Sequence, residues 1–351
     1  LDQTPLVDVL IGAQYGSEGK GNIAAHLAPE YEYLMRVGGP NAGHKVYADP
    51  VITFRQLPSG CTRNPKALLI IGPGAVIDPM VLIKEIEEHQ ISSERLSIDP
   101  NAVIITEEDK LNERGLRDRI GSTGSGVGYA TSRKITERRV ETYRAKHVKE
   151  LRAFIRPTFE ILQEAYMKRS KILLEGTQGT LLSLHHGEYP FVTSRDTTVS
   201  GCLAEAGIPC SRVRKVIMVV RSLPIRVQSP EDGDSGPMGE ATTWDEVASR
   251  SGNDANKLRT EEIGSVSGRL RRVAEFSWSQ IFKSVQLNGP TDIALTFSDY
   301  IDVENTKARR FEQLTETTIM FINELERITG CRVSLICTRF NYRCIIDRRE
   351  W

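Results

Sequence analysis

The sequence predicts an α/β fold: a large, mostly parallel central β-sheet with flanking helices and active-site loops. Three observations carry that expectation. Short apolar runs recur at intervals suited to buried strands, the runs are continuous rather than alternating, and helical patterns lie between several of them. Continuous Val, Ile and Leu runs mark strands covered on both faces. Helices interposed between such strands are the pattern of parallel connections.

In chain order, strands are expected at 7–11, 33–37, 68–71, 103–106, 172–174, 216–220, 293–297 and 333–337. A helix predicted over 149–168 puts Leu151, Phe154, Ile155, Phe159, Leu162 and Tyr166 on one face, with Pro157 kinking or starting it. A second, over 308–328, aligns Phe311, Leu314, Thr318, Phe321 and Leu325. Residues 229–240, SPEDGDSGPMGE, are turn-rich and read as a flap. No repeat, low-complexity segment or linker interrupts the chain, so residues 1–351 are expected to form one domain.

Hydrophobic residues make up 39% and charged residues 26% of the chain, which places it among ordinary globular proteins rather than disordered ones. Its 46 basic and 46 acidic residues cancel, so no overall field favours nucleic acid or an anionic membrane, and neither is expected as a partner. Six cysteines show no CxxC pair and no metal-type pairing with histidine. They are expected to be buried, reduced thiols in a reducing cytoplasm. No apolar run approaches the ~18 residues of a membrane helix. The opening LDQTPLVDVL lacks the basic and apolar regions of a signal peptide.

Five stretches carry candidate chemistry. In IGAQYGSEGKGNIAAHLA (11–28), Gly12, Gly16, Gly19 and Gly21 surround Lys20 between a strand exit and a helix start. Such a turn lets backbone N–H groups approach phosphate oxygens, although the spacing is not that of the standard phosphate loop. In RVGGPNAGHKVY (36–47), a short turn could aim His44 at a substrate as a general acid or charge stabiliser. GSTGSGVG (121–128) could wrap another phosphate or serve as a linker. In 174–194, Gln178 and Thr193 follow another strand exit. GSVSGRLRR (264–272) presents Arg269, Arg271 and Arg272 in a glycine-flanked loop suited to carboxylate or phosphate.

The order GxEGKG, NAGH, STGxGxG, EGxQGTLL–HGxYPxVTS and SGRxRR strongly resembles the adenylosuccinate synthetase family over nearly the whole chain. The resemblance implies a large, mostly parallel sheet related to P-loop folds, a homodimer with shared sites, and a magnesium-dependent two-step ligation. A nucleoside triphosphate phosphorylates the 6-oxygen of a purine monophosphate, and the amine of L-aspartate then displaces phosphate.

Carried over by motif, Glu18, Gly19, Lys20, Gly21 and Asn22 would cradle the donor phosphates. Ser17, Lys20 and His44 would be catalytic, and Ser17 and the Gly43 carbonyl would hold Mg2+. Ser17, Asn41, Ser122, Thr123, Gln178, Leu182 and Thr193 would hold the purine monophosphate. Arg138, or Arg139 beside it, would reach the partner's substrate phosphate. Ser265, Val266, Ser267, Arg269 and Arg271 would take aspartate and neighbouring ribose or phosphate, and Asp299 the donor base.

Two departures shape the expected substrates. The family's GDEGKGK becomes Gly16-Ser17-Glu18-Gly19-Lys20-Gly21-Asn22, so the aspartate that removes the N1 proton of inosine monophosphate is a serine. Serine is too weak a base for that role. It is also short and uncharged beside C2, where guanine carries an amino group. This substitution resembles the phage branch of the family, which uses dGMP to make N6-succino-2-amino-2'-deoxyadenylate, the precursor of 2-aminoadenine in DNA. Ser17 would then relay the N1 proton through water or phosphate, or only orient the base. The family's TKLD becomes Thr296-Phe297-Ser298-Asp299, and its C-terminal GPDR-like turn becomes RFNYR (339–343). Both fall at the donor base, so ATP or dATP is expected in place of GTP. A phage origin would put the enzyme in host cytoplasm. The alternatives are an ordinary synthetase acting on IMP with GTP, or a weakly catalytic nucleotide-binding regulator.

Overall fold

The computed structural model describes residues 4–138, 143–264, 266 and 268–351. Nine strands form the central sheet: β1 (Val7–Gly12), β2 (Tyr33–Arg36), β3 (Leu68–Ile71), β4 (Leu96–Ile98), β5 (Ile172–Glu175), β6 (Val213–Arg221), β7 (Asp292–Thr296), β8 (Arg332–Cys337) and β9 (Ile345–Asp347). Their order is β9-β8-β7-β6-β1-β5-β2-β3-β4. Every neighbouring pair is parallel except β8 and β9. The α/β reading holds.

The continuous apolar strands follow from coverage on both faces. Val7, Val9 and Ile11 of β1 point into one buried cluster, and Leu10 points into the other. Tyr33 and Met35 of β2 join the first, while Leu34 joins the second. Alternate residues of a strand face opposite sides, so both sets are mainly apolar, with Asp8 and Arg36 the buried charged exceptions in these two strands.

Several boundaries differ from expectation. The strand expected over 103–106 is only Val103–Ile104, paired with Val76–Ile77 outside the main sheet. β4 was not anticipated, because LSI is too short to stand out. The region 149–168 divides into a 3-10 segment, Lys149–Phe154, and a helix, Thr158–Met167; Pro157 caps the start of the latter. Phe159, expected to be buried, is 72% exposed. The helix expected from 308 begins only at Glu316 and runs to Thr329. The Asn305 side chain accepts from Thr315 N–H and donates to Ser298 C=O, which holds the preceding segment in turns. Cys210 is exposed and Cys331 half-buried, whereas the other four cysteines are buried; all six are free thiols. No helix among the described residues is long and apolar enough to cross a membrane.

An antiparallel three-stranded sheet, ordered Ile225–Val227, Arg271–Ala274 and Ala241–Thr242, stands beyond the carboxyl end of β6. Its strands bring the 229–240 segment and the arginine loop over the carboxyl edge of the main sheet. In open parallel sheets, that edge is where ligands bind.

Candidate active site

Three of the five candidate stretches, and Phe297, follow a strand's carboxyl end, whereas 121–128 follows the helix Glu107–Ile120 and 264–272 the helix Ala255–Glu261. The glycine-rich turn follows β1, the NAGH turn β2, Gln178 β5 and Phe297 β7. The first three border a cavity of about 710 Å³. Ser17, Asn41, Gly43 and Gln178 line its floor, with Ser122 and Thr123 alongside. Leu182, Thr193, Val266 and Arg271 also reach it, as do Asp234 and Ser235 of the flap. The sequence brings those residues from six separate segments to one place.

The glycine-rich turn is shaped by close approaches. A Cβ on Gly12 would sit 2.3 Å from the Glu18 carboxylate and 2.7 Å from Lys20 Nζ. Gly16 has φ +95°, and a Cβ there would meet the Gln178 backbone at 3.0 Å. Only glycine meets both demands. Lys20 Nζ donates to Glu18 Oε2 at 2.7 Å, and both side chains are buried. Glu18 Oε1 also accepts from the Gln14 and Gly16 backbone N–H groups at 2.9 and 2.8 Å. The Glu18 side chain therefore braces the turn, while Lys20 sits at the first position of the helix Lys20–Leu27. Gly19 caps that helix in the left-handed region without a side-chain bond, which leaves N–H groups for a ligand. Asn22 Oδ1 accepts from Tyr47 N–H at 2.9 Å, so this side chain ties the helix to the hairpin that begins at His44.

His44 is buried and presents Nδ1 to Glu175 Oε1 at 2.5 Å. Ser59 supports Glu175 through its backbone N–H at 2.8 Å and its hydroxyl. Burial, then the nearby Arg36 guanidinium, lower the His44 pKa to about 4 against the pull of Glu175. Burial alone would raise Glu175, but the bond from His44, the charges of His44 and Arg36, and Ser59 hold it low. The pair is thus neutral imidazole beside carboxylate, with the proton on Nδ1 and a lone pair on Nε2. Arg36 also clamps the NAGH turn by donating to the Ala42 carbonyl at 2.6 Å.

Three buried polar atoms at this site have no partner: Asn41 Oδ1, His44 Nε2 and Gln178 Nε2. Buried polar atoms are almost always satisfied, so Asn41 Oδ1 and Gln178 Nε2 on the cavity lining, with His44 Nε2 one residue beyond Gly43, mark where a ligand's polar groups would bind. Gln178 additionally holds φ +59°, a costly conformation for a non-glycine residue.

A second, small pocket is lined by Gly19, Asn22, Thr296, Phe297, Arg339 and Phe340. Phe297 is another non-glycine at positive φ, 57°. Asp299 Oδ1, close in sequence, is buried without a partner, and burial pushes this carboxyl up to about 7.

Not every candidate converges. Arg138 is exposed at the end of the helix Val127–Glu137, donates to the Ile135 carbonyl at 2.9 Å, and does not border the cavity of its own chain. Arg269 does not border it either. Ser265, Ser267 and the alternative Arg139 lie outside the described residues. Residues that sequence reasoning passed over include Glu175, Ser59, Arg36, Arg221 and Glu262. Glu175 alone had a signal: an acid ending a buried strand.

The sequence profile of adenylosuccinate synthetase matches residues 9–145 and 136–306. An adenylosuccinate synthetase of Methanocaldococcus jannaschii is 37% identical, over 97% of this chain and 96% of that protein. That of Pyrococcus horikoshii is 36% identical, over 97% and 98%. Among solved structures, fully ligated adenylosuccinate synthetase from Plasmodium falciparum superimposes with a TM-score of 0.86 at 20% identity, covering 98% of this chain and all of that one. The succinoaminodeoxyadenylate synthetase of cyanophage S-2L, bound to dGMP and to dATP as an energy donor, superimposes at 0.82 with 26% identity, over 98% and 96%.

Proposed function

This chain belongs to the adenylosuccinate synthetase family, as a C–N ligase that uses aspartate, and from that premise we propose that its acceptor is dGMP and its donor ATP or dATP. The product is N6-succino-2-amino-2'-deoxyadenylate, with ADP or dADP and phosphate released. The observation that carries the reading is Ser17 on the cavity wall, beside the orphaned Asn41 and Gln178 groups. A serine there leaves space, and an acceptor oxygen, for a 2-amino group. The cyanophage synthetase supports the same reading, having been solved with dGMP and dATP.

On this reading each group has a task. Asn41 Oδ1 and Gln178 Nε2 offer an acceptor and a donor to the purine or its phosphate. Lys20 and the N–H groups after Gly19 face the donor phosphates. Arg271 and the loop around it receive aspartate, with Ser265, Ser267 and Arg269 assigned there by motif. Arg138 is assigned to the partner subunit's site in a homodimer of one-domain chains.

The hydroxyl of Ser17 and the carbonyl of Gly43 are hard oxygen donors at the cavity wall. Among the described residues no cluster of three His, Cys, Asp or Glu could hold a metal. This donor set fits Mg2+, which takes few protein ligands and completes its shell with phosphate and water. When bound, magnesium would neutralise and align the phosphate oxygens.

Offering dGMP, GMP and IMP in parallel with aspartate, Mg2+ and ATP, with products read by mass, tests the acceptor. Succinylated product should come from dGMP with little from IMP. The archaeal relatives favour the ordinary reaction as the second reading, and product from IMP alone would establish it.

The donor prediction is read separately. Phe297 and the 339–343 turn replace the family's guanine-flanking residues, so ATP and dATP should raise Tm more than GTP does. Selective stabilisation by GTP would overturn that preference.

A further inference from the structure

Arg221 ends β6 fully buried, between the two pockets. Its Nη1 donates to the Ser17 carbonyl at 3.0 Å. Its Nη2 donates to Glu262 Oε1. Its guanidinium lies 3.6 Å from the centre of the Phe297 ring. Glu262 in turn accepts from Tyr300 Oη at 2.6 Å on the same oxygen and from Arg271 Nη1 at 3.2 Å on the other. The backbone N–H of Arg271 also donates to the Glu262 carbonyl at 3.0 Å. Burial would raise the Glu262 pKa, but Arg221 and Arg271 hold it low and ionised.

One buried cation–carboxylate unit therefore touches three functional edges at once. Phe297 walls the small pocket, Ser17 lies in the acceptor cavity, and Arg271 anchors the loop assigned to aspartate. A buried charged unit of this kind does not deform gradually. Shifting Phe297 must move the guanidinium, and the guanidinium cannot move without straining the Ser17 turn or releasing Glu262.

We propose that Arg221 and Glu262 are positioning residues that couple filling of the small pocket by the donor base to the grip of the main cavity on acceptor and aspartate. This rests on reading the small pocket as the donor-base site. Neither residue is asked to touch substrate. Binding of the donor should tighten binding of the other two, and by linkage they should tighten the donor by the same factor.

The coupling factor is the ratio of Kd for a non-hydrolysable donor analogue alone to its Kd with the acceptor monophosphate and aspartate present. The nucleotide pair used is whichever one yields product, so the measurement does not depend on the identity of either base. The wild-type factor should be at least about 5-fold. Glu262→Gln should bring it below about 2-fold, with the donor's Kd alone changed far less. Tyr300→Phe, which removes one hydrogen bond to the same carboxylate and conserves packing, should lower it in part and serves where Glu262→Gln does not fold.

Phe340→Ala separates the two layers. Phe340 lines the small pocket, and none of the bonds that hold the Arg221–Glu262 unit comes from it. It should weaken the donor while leaving the coupling factor in place. Donor affinity unchanged by Phe340→Ala would overturn the pocket assignment. Donor affinity weakened by Phe340→Ala, with coupling intact in Glu262→Gln or in Tyr300→Phe, would overturn the coupling role alone.

Discussion

Ser17→Asp should lower kcat/KM for dGMP by at least about 100-fold and raise turnover of IMP. Two effects act in the same direction. The longer, charged side chain enters the space that the 2-amino group needs, and a carboxylate beside N1 restores a base that contributes roughly 10²–10⁴-fold when correctly placed. The Ser17 carbonyl is held by Arg221 and the preceding glycine by its contact with Gln178, so the backbone should keep its course in the variant. Steady-state rates with both acceptors, at saturating aspartate and donor, read the exchange. Unchanged dGMP turnover would sink the steric reading of Ser17. Ser17→Ala separates space from hydrogen bonding. If the cavity merely needs room, alanine keeps the dGMP preference; if the hydroxyl accepts from the 2-amino group, dGMP loses about 10-fold, the scale of one hydrogen bond.

Much of this cavity's lining is legible in the sequence, for a physical reason. Ligands gather at the carboxyl edge of a parallel sheet, so the loops that matter follow apolar strands directly, and both signals are local in sequence. The turn after β1, the NAGH turn after β2 and Gln178 after β5 could all be found in this way. What stayed hidden depends on distant partners. Glu175 acts on a histidine 131 residues earlier, and Arg221 meets Glu262 41 residues later. Nothing in either neighbourhood announces the other half. The helix expected from 308 failed for a related reason. Phe311 and Leu314 fit a helical stripe, but the side-chain hold of Asn305 on Ser298, 7 residues before it, and on Thr315, 10 after it, overrode that stripe. The antiparallel sheet over the cavity was missed because its strands are two to four residues long and polar enough to read as loop.

The pairing of His44 with Glu175 leads to the second large effect. His44→Asn should cut kcat by roughly 10²–10⁴-fold, the range for a group that donates to charge developing in transfer. In the free protein His44 is neutral, so its bare Nε2 cannot yet donate to a phosphoryl oxygen. A triphosphate nearby favours the imidazolium, and Glu175 stabilises it through Nδ1, so the proton should arrive with the donor. The active form is protonated, hence kcat should fall as pH rises through the His44 pKa of the bound state. Glu175→Gln removes that stabilisation, and it should lower kcat about 10–100-fold and move the falling limb to lower pH. A purely structural role for Glu175 would lower kcat and leave the limb where it is. Stability gives an independent reading with the opposite sign. The folded-state pKa of His44, about 4, lies below the ordinary 6.5, so between those values the unfolded chain binds the proton more readily. Stability from this residue should be intact above pH 6.5 and should drain away as pH falls towards 4. In His44→Asn, Tm measured across the same window should lose that share of its slope.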